Sequence, residues 1–577
     1  MTAIASTTNS PHWSAAPADP RAVAEFSAAT GLSSVTATIL LSRGITTAED
    51  ARRFLEPSLE RDWVESADIP GMDEAAARVA VAIRGGERIV VFGDFDLDGI
   101  SSAALATLGI AALGGSVEAT VPHRFREGYG LTEASMSRLA AMKPDLVVTV
   151  DCGISSAAEV SLLAGQGIDV VVTDHHEPGE GVPDGVPVAN PKLAAGGPAL
   201  AGAGVALVLV QTVGALLGRP DAWHELTDLA TLGTVADIVP LVGPNRALVT
   251  DGLARTRATP RPGIAALAEV AAVPTASLTA EHVAFALAPR LNAAGRMAEP
   301  AAALDLLMTR DPERALELAR GLDEHNRLRQ AVEADLYTVA LAQAEEAFRD
   351  GDRVVVVAGE GWHEGVRGIV ASRLVTRFGV PALVLSIDGD EAQGSGLSIE
   401  GADLHAALTR LESMLTRFGG HAMAIGVTLP TRALDTLRAA LAEWARALPG
   451  EIFVPRVAID AEVSLDALSR DLAAEIALLG PFGFANRRPL LAARGVFMSG
   501  RRRVGKAEDH LSFTAYDGVA EVRAIAFRAP EIERLAATDT AVDVAFELDV
   551  DEWRGVERVR MHGMLVASLV TVAMPSR

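Results

Sequence analysis

Asp94, Asp96 and Asp98 stand at alternate positions just after an apolar run, Ile89 to Phe92; Gly99, Ser101 and Ser102 follow at the start of a helix-forming stretch. The apolar run reads as a buried strand. Three carboxylates so close together repel one another and lose hydration when partly buried, a cost accepted mainly where a cation offsets it. Hard divalent ions take oxygen ligands, and strand ends in open α/β sheets are where such sites lie. A hydrated acidic turn has the same composition, so the triplet alone leaves both readings open.

Other segments carry the same signal. A Val-rich run over 145–150 ends at Asp151, and one over 169–173 ends at Asp174-His175-His176. The apolar segment 229–241 holds a single acid, Asp237, which reads as a helix cap or a buried ligand. A carboxylate-rich set with one or two histidines suits Mn²⁺ or Mg²⁺ better than zinc, whose structural sites favour thiolates. Two such ions about 3.5–4 Å apart would activate water and neutralise a phosphoryl transition state. Arg290, Asn292 and Arg296 interrupt a small, apolar run and suggest a phosphate-facing loop, with surface arginines as the alternative. Gly394–Gly401 and Gly419–Gly426 place glycine beside Ser or His, which lets backbone N–H groups approach an anion.

The elements that would position these groups alternate between strand and helix. Helix 72–85, strand 88–93, helix 100–113 and strands 117–121, 145–150 and 169–173 imply an α/β fold, a parallel sheet covered on both faces. A helix over 200–217 follows. Asp311-Pro312 opens a long helix to about Phe348, leading to a smaller α/β lobe with strand 353–358, helix 365–377 and strand 381–387. Beyond Pro455 the period becomes two, and runs at 510–516, 521–527, 542–550 and 558–566 suggest a closed or partly open β-barrel. Arg487, Arg488, Arg494, Arg501, Arg502, Arg503 and Lys506 cluster at its start, a basic patch suited to a nucleic-acid strand or a solvated basic loop.

Composition sets the outer bounds. With 577 residues, 49% of them hydrophobic, the chain should hold three or four domains. No segment of 18 or more residues is free of charge in the way a membrane span needs. One cysteine, Cys152, rules out an internal disulfide framework and suits a reducing cytoplasm. The first twenty residues read as a disordered leader, not a signal peptide, and 21–70 as small helices. A net charge of −24 is a weak veto on nucleic-acid binding, because a local groove of arginines can bind while carboxylates elsewhere keep the protein soluble.

The order Gly93-Asp-Phe-Asp-Leu-Asp-Gly99, Asp151-Cys-Gly153, Asp174-His-His176 and Gly233-Thr-Val-Ala-Asp237 resembles the DHH phosphoesterase superfamily. The match is closer still to its RecJ family of bacterial single-strand-specific 5′→3′ DNA exonucleases. Arg124-Phe-Arg-Glu-Gly-Tyr-Gly130, Pro289-Arg-Leu-Asn-Ala-Ala-Gly-Arg296, Trp362-His-Glu-Gly365, Gly419-Gly-His421, Pro481-Phe-Gly483 and Glu552-Trp-Arg-Gly555 extend the resemblance over residues 40–570. It implies a helical N-terminal segment within 1–70, a DHH domain over 71–260, a connector over 261–348, a DHH-associated domain over 349–450 and an OB-like barrel over 451–577.

The resemblance also implies roles. Asp96, Asp98, Asp151, His175 and Asp237 would be metal ligands for two Mn²⁺ or Mg²⁺ ions, with Asp94 and His176 either ligands themselves or directly behind the ligands, and His176 or an acid managing protons. Arg296 would hold the scissile phosphate with Asn292 nearby, Ser395 and His421 would close over the strand, and Arg124 would meet the 5′ end. Single-stranded DNA with a free 5′ end is the implied partner of a monomeric enzyme, alongside single-strand-binding protein and a helicase. Where the family carries arginine in Gly-Ser-x-Arg-Ser, this chain has Leu397, which questions its preference for a 5′-phosphate. Two other readings are a phosphodiesterase of short oligonucleotides or cyclic dinucleotides, which would not need a terminal barrel, and a non-catalytic DNA-binding scaffold, in which acids of the metal set are typically lost.

Overall fold

The computed structural model describes residues 12–15, 19–124, 126–128, 130–179, 181–297, 299–454, 456–505, 508, 510–527, 541–553 and 556–570. The chain forms two compact units, one of residues 56–329 with 480–487, the other of residues 1–55, 330–479 and 488–577.

The first unit is built on a parallel sheet in the order Ser116–Thr120, Arg88–Phe92, Leu146–Val150, Asp169–Thr173, Val188–Ala189. Its central strands are apolar nearly throughout because both faces are covered. Ile89, Val91, Val148 and Val171 join the core formed by helices Met72–Gly85, Leu97–Ala112 and Gly202–Leu216. Val90, Phe92, Val147 and Val172 face Leu139, Val160 and Leu163 on the other side. From Arg88–Phe92 the chain crosses to the outer strand Ser116–Thr120, then returns to Leu146–Val150 on the opposite flank. That reversal opens a crevice at the C-terminal ends of Arg88–Phe92 and Leu146–Val150.

Two expectations change here. The helix after the aspartates starts at Leu97 rather than 100, because the Asp96 carboxylate accepts a hydrogen bond from the Gly99 N–H at 3.1 Å and caps it. The 285–297 stretch is no loop. A π-helical turn, Val283–Leu287, runs into helix Ala288–Met297, where Leu291 and Ala294 bury the inner face.

The second unit holds a mixed sheet in the order Arg417–His421, Ala424–Pro430, Glu391–Leu397, Ala382–Asp388, Val355–Glu360. Gly394 and Gly396 therefore lie inside a strand paired on both sides, and sheet pairing rather than an anion cradle occupies their backbone. A Cβ at Gly394 would meet the Val384 carbonyl. The barrel closes through Leu491–Val504, His510–Tyr516, Glu521–Ala526, Val556–Val570 and Ala541–Trp553, which pairs back to the first strand. Leu491–Val504 escapes the period-two pattern because register shifts at Ala493/Val496 and Ser499/Arg502 break its alternation. The 36-residue helix Pro312–Ala347 begins among the residues of one unit and ends among those of the other.

Part of the expected leader is ordered. His12–Ala15 pairs in parallel with Arg456–Ile459, and Trp13 packs against Val457, Ile459 and Leu490; the rest of residues 1–18 lies outside the described residues. Arg494 leaves the basic patch, since it pairs with Glu462 at 2.5 Å and Asp543 at 2.8 Å. Among the described residues no single helix is long and apolar enough to cross a membrane.

The helix Ser34–Ser42 is tied to this unit by one carboxylate. Glu475 accepts from the Ser33 N–H at 3.0 Å, the Ser33 hydroxyl at 2.6 Å and the Thr36 hydroxyl at 2.6 Å. Glu475→Ala removes the acceptor of all three bonds and should lower the urea midpoint by an amount equivalent to about 2 kcal/mol, with Mn²⁺ affinity unchanged.

Candidate metal centre

Each acidic side chain owes its position to the end of a regular element. Asp94 follows strand Arg88–Phe92, Asp151 follows Leu146–Val150, and Asp174, His175 and His176 follow Asp169–Thr173. Asp237 is the residue at which helix Thr227–Ala236 stops, so its backbone is a C-terminal cap while its carboxylate turns to the crevice. Asp151 adopts a left-handed backbone, φ 60°, which swings its side chain off the strand direction. Ile238, next to Asp237, does the same at φ 61°, a conformation costing about 1–2 kcal/mol for a residue with a Cβ.

The donors converge. His175 Nε2 lies 3.1 Å from Asp151 Oδ1, 3.7 Å from Asp237 Oδ2 and 3.8 Å from Asp98 Oδ2. Three overlapping groups emerge, Asp94/Asp96/Asp151, Asp98/His175/Asp237 and Asp151/His175/His176, each with ligand atoms within 4.8 Å of one another. Asp151 belongs to two of them, which suits a carboxylate shared by two ions.

Supporting groups hold the donors still. Asp98 accepts from the Gly202 N–H at 2.7 Å and the Ala203 N–H at 2.9 Å, at the N-terminus of helix Gly202–Leu216. Asp174 accepts from the backbone N–H groups of Ile154, His175 and His176 and from His176 Nδ1 at 2.8 Å. The Asn292 side-chain oxygen accepts from the Leu97 N–H at 2.8 Å, so this residue clamps the aspartate loop. The donors at Gly202 and Ala203 belong to backbone, and no side-chain pattern announces them. Gly202 and Gly233 are required by close approach: a Cβ at Gly202 would sit 2.5 Å from Asp151 Cβ, and one at Gly233 would collide with Asp98 Oδ1.

The other site candidates divide between the two units. Arg290 pairs with Asp323 at 2.9 Å and is a structural arginine. Arg296 is half-buried on the Asn292 helix, and Arg124 lies over the Phe95 ring, 5.0 Å from its centroid. Ser395, His421 and Arg501–Arg503 belong to the other unit. There Ser395 sits mid-strand, half-buried, while His421 on its hairpin and the three arginines are exposed. Lys506 lies outside the described residues.

Electrostatics show what the cluster needs. Burial, with the Asp96 charge, pushes the Asp94 carboxyl up to about 8. Burial with neighbouring aspartates raises Asp98 and Asp151 well above the carboxylate range and Asp237 to about 6. Burial lowers His175 to about 4, so its ring is neutral at pH 7. Burial opposes the charged forms of Asp174 and His176 too, but their mutual hydrogen bond wins, lowering Asp174 and raising His176. Asp94 Oδ1, Asp151 Oδ1 and His175 Nε2 are buried without a hydrogen-bond partner. His175 bonds the Leu200 backbone, necessarily through its other nitrogen, leaving the Nε2 lone pair facing the carboxylates. Bare acceptors crowded together at low dielectric fit divalent cations.

Two outcomes follow. Between pH 7 and 8.5, where His175 is neutral folded or unfolded, folded Asp94 holds a proton that the unfolded chain has lost. Stability of chelator-treated protein should therefore fall as pH rises, read as a dropping Tm. Mn²⁺ at a hundredfold excess over its Kd should restore about 2.7 kcal/mol; a metal-free Tm that climbs with pH would contradict the assignment. Gly233→Ala, which crowds Asp98, should weaken Mn²⁺ binding tenfold or more by titration calorimetry with circular dichroism unchanged.

Family models match in three places: the DHH family N-terminal domain over residues 88–234, the DHHA1 domain over 351–447 and the RecJ OB domain over 459–563. The single-stranded-DNA-specific exonuclease RecJ of Bacillus subtilis is 36% identical over 91% of this chain and 67% of its own length. The protein of that name from Dickeya dadantii is 37% identical over 90% of this chain and 93% of its own. The crystal structure of RecJ in complex with Mn²⁺ from Thermus thermophilus superposes with a TM-score of 0.82 at 32% identity, covering 98% of this chain and 80% of that one. With two α/β domains, a closing barrel and a carboxylate–histidine centre at the sheet's switch point, the chain belongs to the RecJ family of DHH phosphoesterases.

Proposed function

We propose that this protein is a metal-dependent 5′→3′ exonuclease that hydrolyses the phosphodiester bonds of single-stranded DNA and releases 5′-mononucleotides. The observation that carries this reading is the donor set of Asp94, Asp96, Asp98, Asp151, His175 and Asp237 gathered at one strand-end crevice. Divalent ions bound there supply activation of water and neutralisation of phosphoryl charge.

The chain's own residues do the rest. His176 is half-exposed, with Nδ1 held by Asp174 and an affinity for protons raised by that contact. We assign to it the proton handed to the departing 3′-oxygen. Arg296 and Arg124 are the cations of this unit assigned to the scissile phosphate and the 5′ end, and Asn292 fixes the acidic loop through the Leu97 N–H. Arg501, Arg502 and Arg503, exposed on the barrel, attract the phosphate backbone in an otherwise acidic chain. Ser395 and His421 are assigned to the strand as well. The enzyme works as a monomer in the cytoplasm, in DNA repair and recombination, on free 5′ ends exposed by a helicase and coated by single-strand-binding protein.

Leu397 sets this chain apart. It packs half-buried against the cluster of Val357, Val366, Val370 and Val384, and brings no charge to a 5′-phosphate.

A labelled single strand should be shortened from its 5′ end with Mn²⁺ or Mg²⁺, while duplex and dinucleotide are spared. Equal digestion of duplex, or activity on the dinucleotide alone, would refute the proposal. Asp151→Asn should reduce kcat by about three orders of magnitude or more with strand binding largely kept. Leu397→Arg should raise the preference for 5′-phosphorylated over 5′-hydroxyl ends roughly tenfold.

A further inference from the structure

Three exposed apolar residues adjoin the segment that carries Asp237, and the reaction chemistry has no use for them. Ile238 directly follows Asp237, and its side chain is 67% exposed. It combines two unfavourable features, a β-branched side chain at positive φ and an isoleucine largely left in water. Four residues on, Val242 is 42% exposed. Phe484, 58% exposed, stands beside this loop, because its carbonyl accepts from the Leu241 N–H at 2.8 Å.

The backbone around Phe484 is closely tied. It occupies the tip of a two-residue turn closed by hydrogen bonds between Gly483 and Asn486 in both directions, 3.0 and 3.2 Å. The buried Asn486 side chain donates to the Pro481 carbonyl at 2.8 Å, and Gly483 lies against Leu241, where a Cβ would meet the leucine side chain at 2.6 Å. Residues 480–487 group with the catalytic unit although the chain on both sides of them groups with the other. The turn thus sets an exposed phenylalanine beside the segment that supplies a metal-centre carboxylate.

We propose that Ile238, Val242 and Phe484 form a stacking lip that receives a nucleobase of the single strand next to the metal centre. Phosphates are drawn to cations and arginines, so the bases of a strand passing this point need an apolar, flat support, and stacking on an aromatic side chain provides one without regard to sequence. Continuity with Asp237 makes DNA the occupant. The lip is a binding feature and takes no part in bond cleavage. The inference rests on the exonuclease reading for its substrate.

The test uses the full chain with single strands carrying 2-aminopurine at each of the first four positions. In chelator, where nothing is cut, wild type should quench the fluorophore at one position, and Phe484→Ala should abolish that quenching. With Mn²⁺, Phe484→Ala and Ile238→Gly should each raise KM fivefold or more with kcat within twofold. Ile238→Gly relieves the left-handed strain, so it should also raise Tm, and Mn²⁺ affinity should stay unchanged as the check that Asp237 is undisturbed. A raised Tm with KM and quenching as in wild type overturns the lip, and so does absence of quenching in wild type. A change of oligomeric state on sedimentation with DNA binding unaffected would assign the surface to a second copy instead. Quenching in a wild type that cuts nothing would sink the exonuclease reading and leave the lip standing.

Discussion

Negative charge confined at the C-terminal edge of a parallel sheet is the constraint on which the catalytic unit depends. Asp94, Asp98 and Asp151 are buried within reach of Asp96, Asp237 and a neutral histidine. Water would hydrate these acids, but the strands and helices that carry them exclude it. Protons can neutralise the cluster, and the raised proton affinities of Asp94, Asp98 and Asp151 register that demand. Divalent cations meet it better, since one ion satisfies several oxygens at once.

The surrounding architecture holds the charges together against their repulsion. Helix Leu97–Ala112 begins within the acidic loop, and helix Gly202–Leu216 directs its first N–H groups at Asp98, so two helix N-termini lend partial positive charge. Gly202 and Gly233 permit the close approach. Asn292 fastens the loop from the far side, and Arg290 fastens the Asn292 helix to Asp323 of the long helix. Residues remote from the donors are therefore part of the geometry of the metal centre.

The sheet and the acids at its edge were legible because each local rule agreed. Val-rich strands announce burial on both faces, and an acid at the end of such a strand is conspicuous. Asp237 was readable only as cap or ligand; its backbone ends a helix while its carboxylate joins the cluster. Contacts that depend on distant backbone stayed hidden. The amides of Gly202 and Ala203 leave no side-chain trace, the pairing of Arg290 with Asp323 joins residues far apart in sequence, and bulges erased the alternation of Leu491–Val504. Glycine at 394 and 396 was read as anion-binding, whereas neighbouring strands explain it. His12–Ala15 has polar, loop-like neighbours in sequence, and its strand forms only because Arg456–Ile459 offers an edge.

The cluster would hold two divalent ions that share Asp151. Electron paramagnetic resonance of the chain titrated with Mn²⁺ tests it most directly. The account predicts two ions per chain with exchange-coupled spectra, and loss of the coupling in Asp151→Asn. A single ion, or two uncoupled ions indifferent to Asp151, would contradict it.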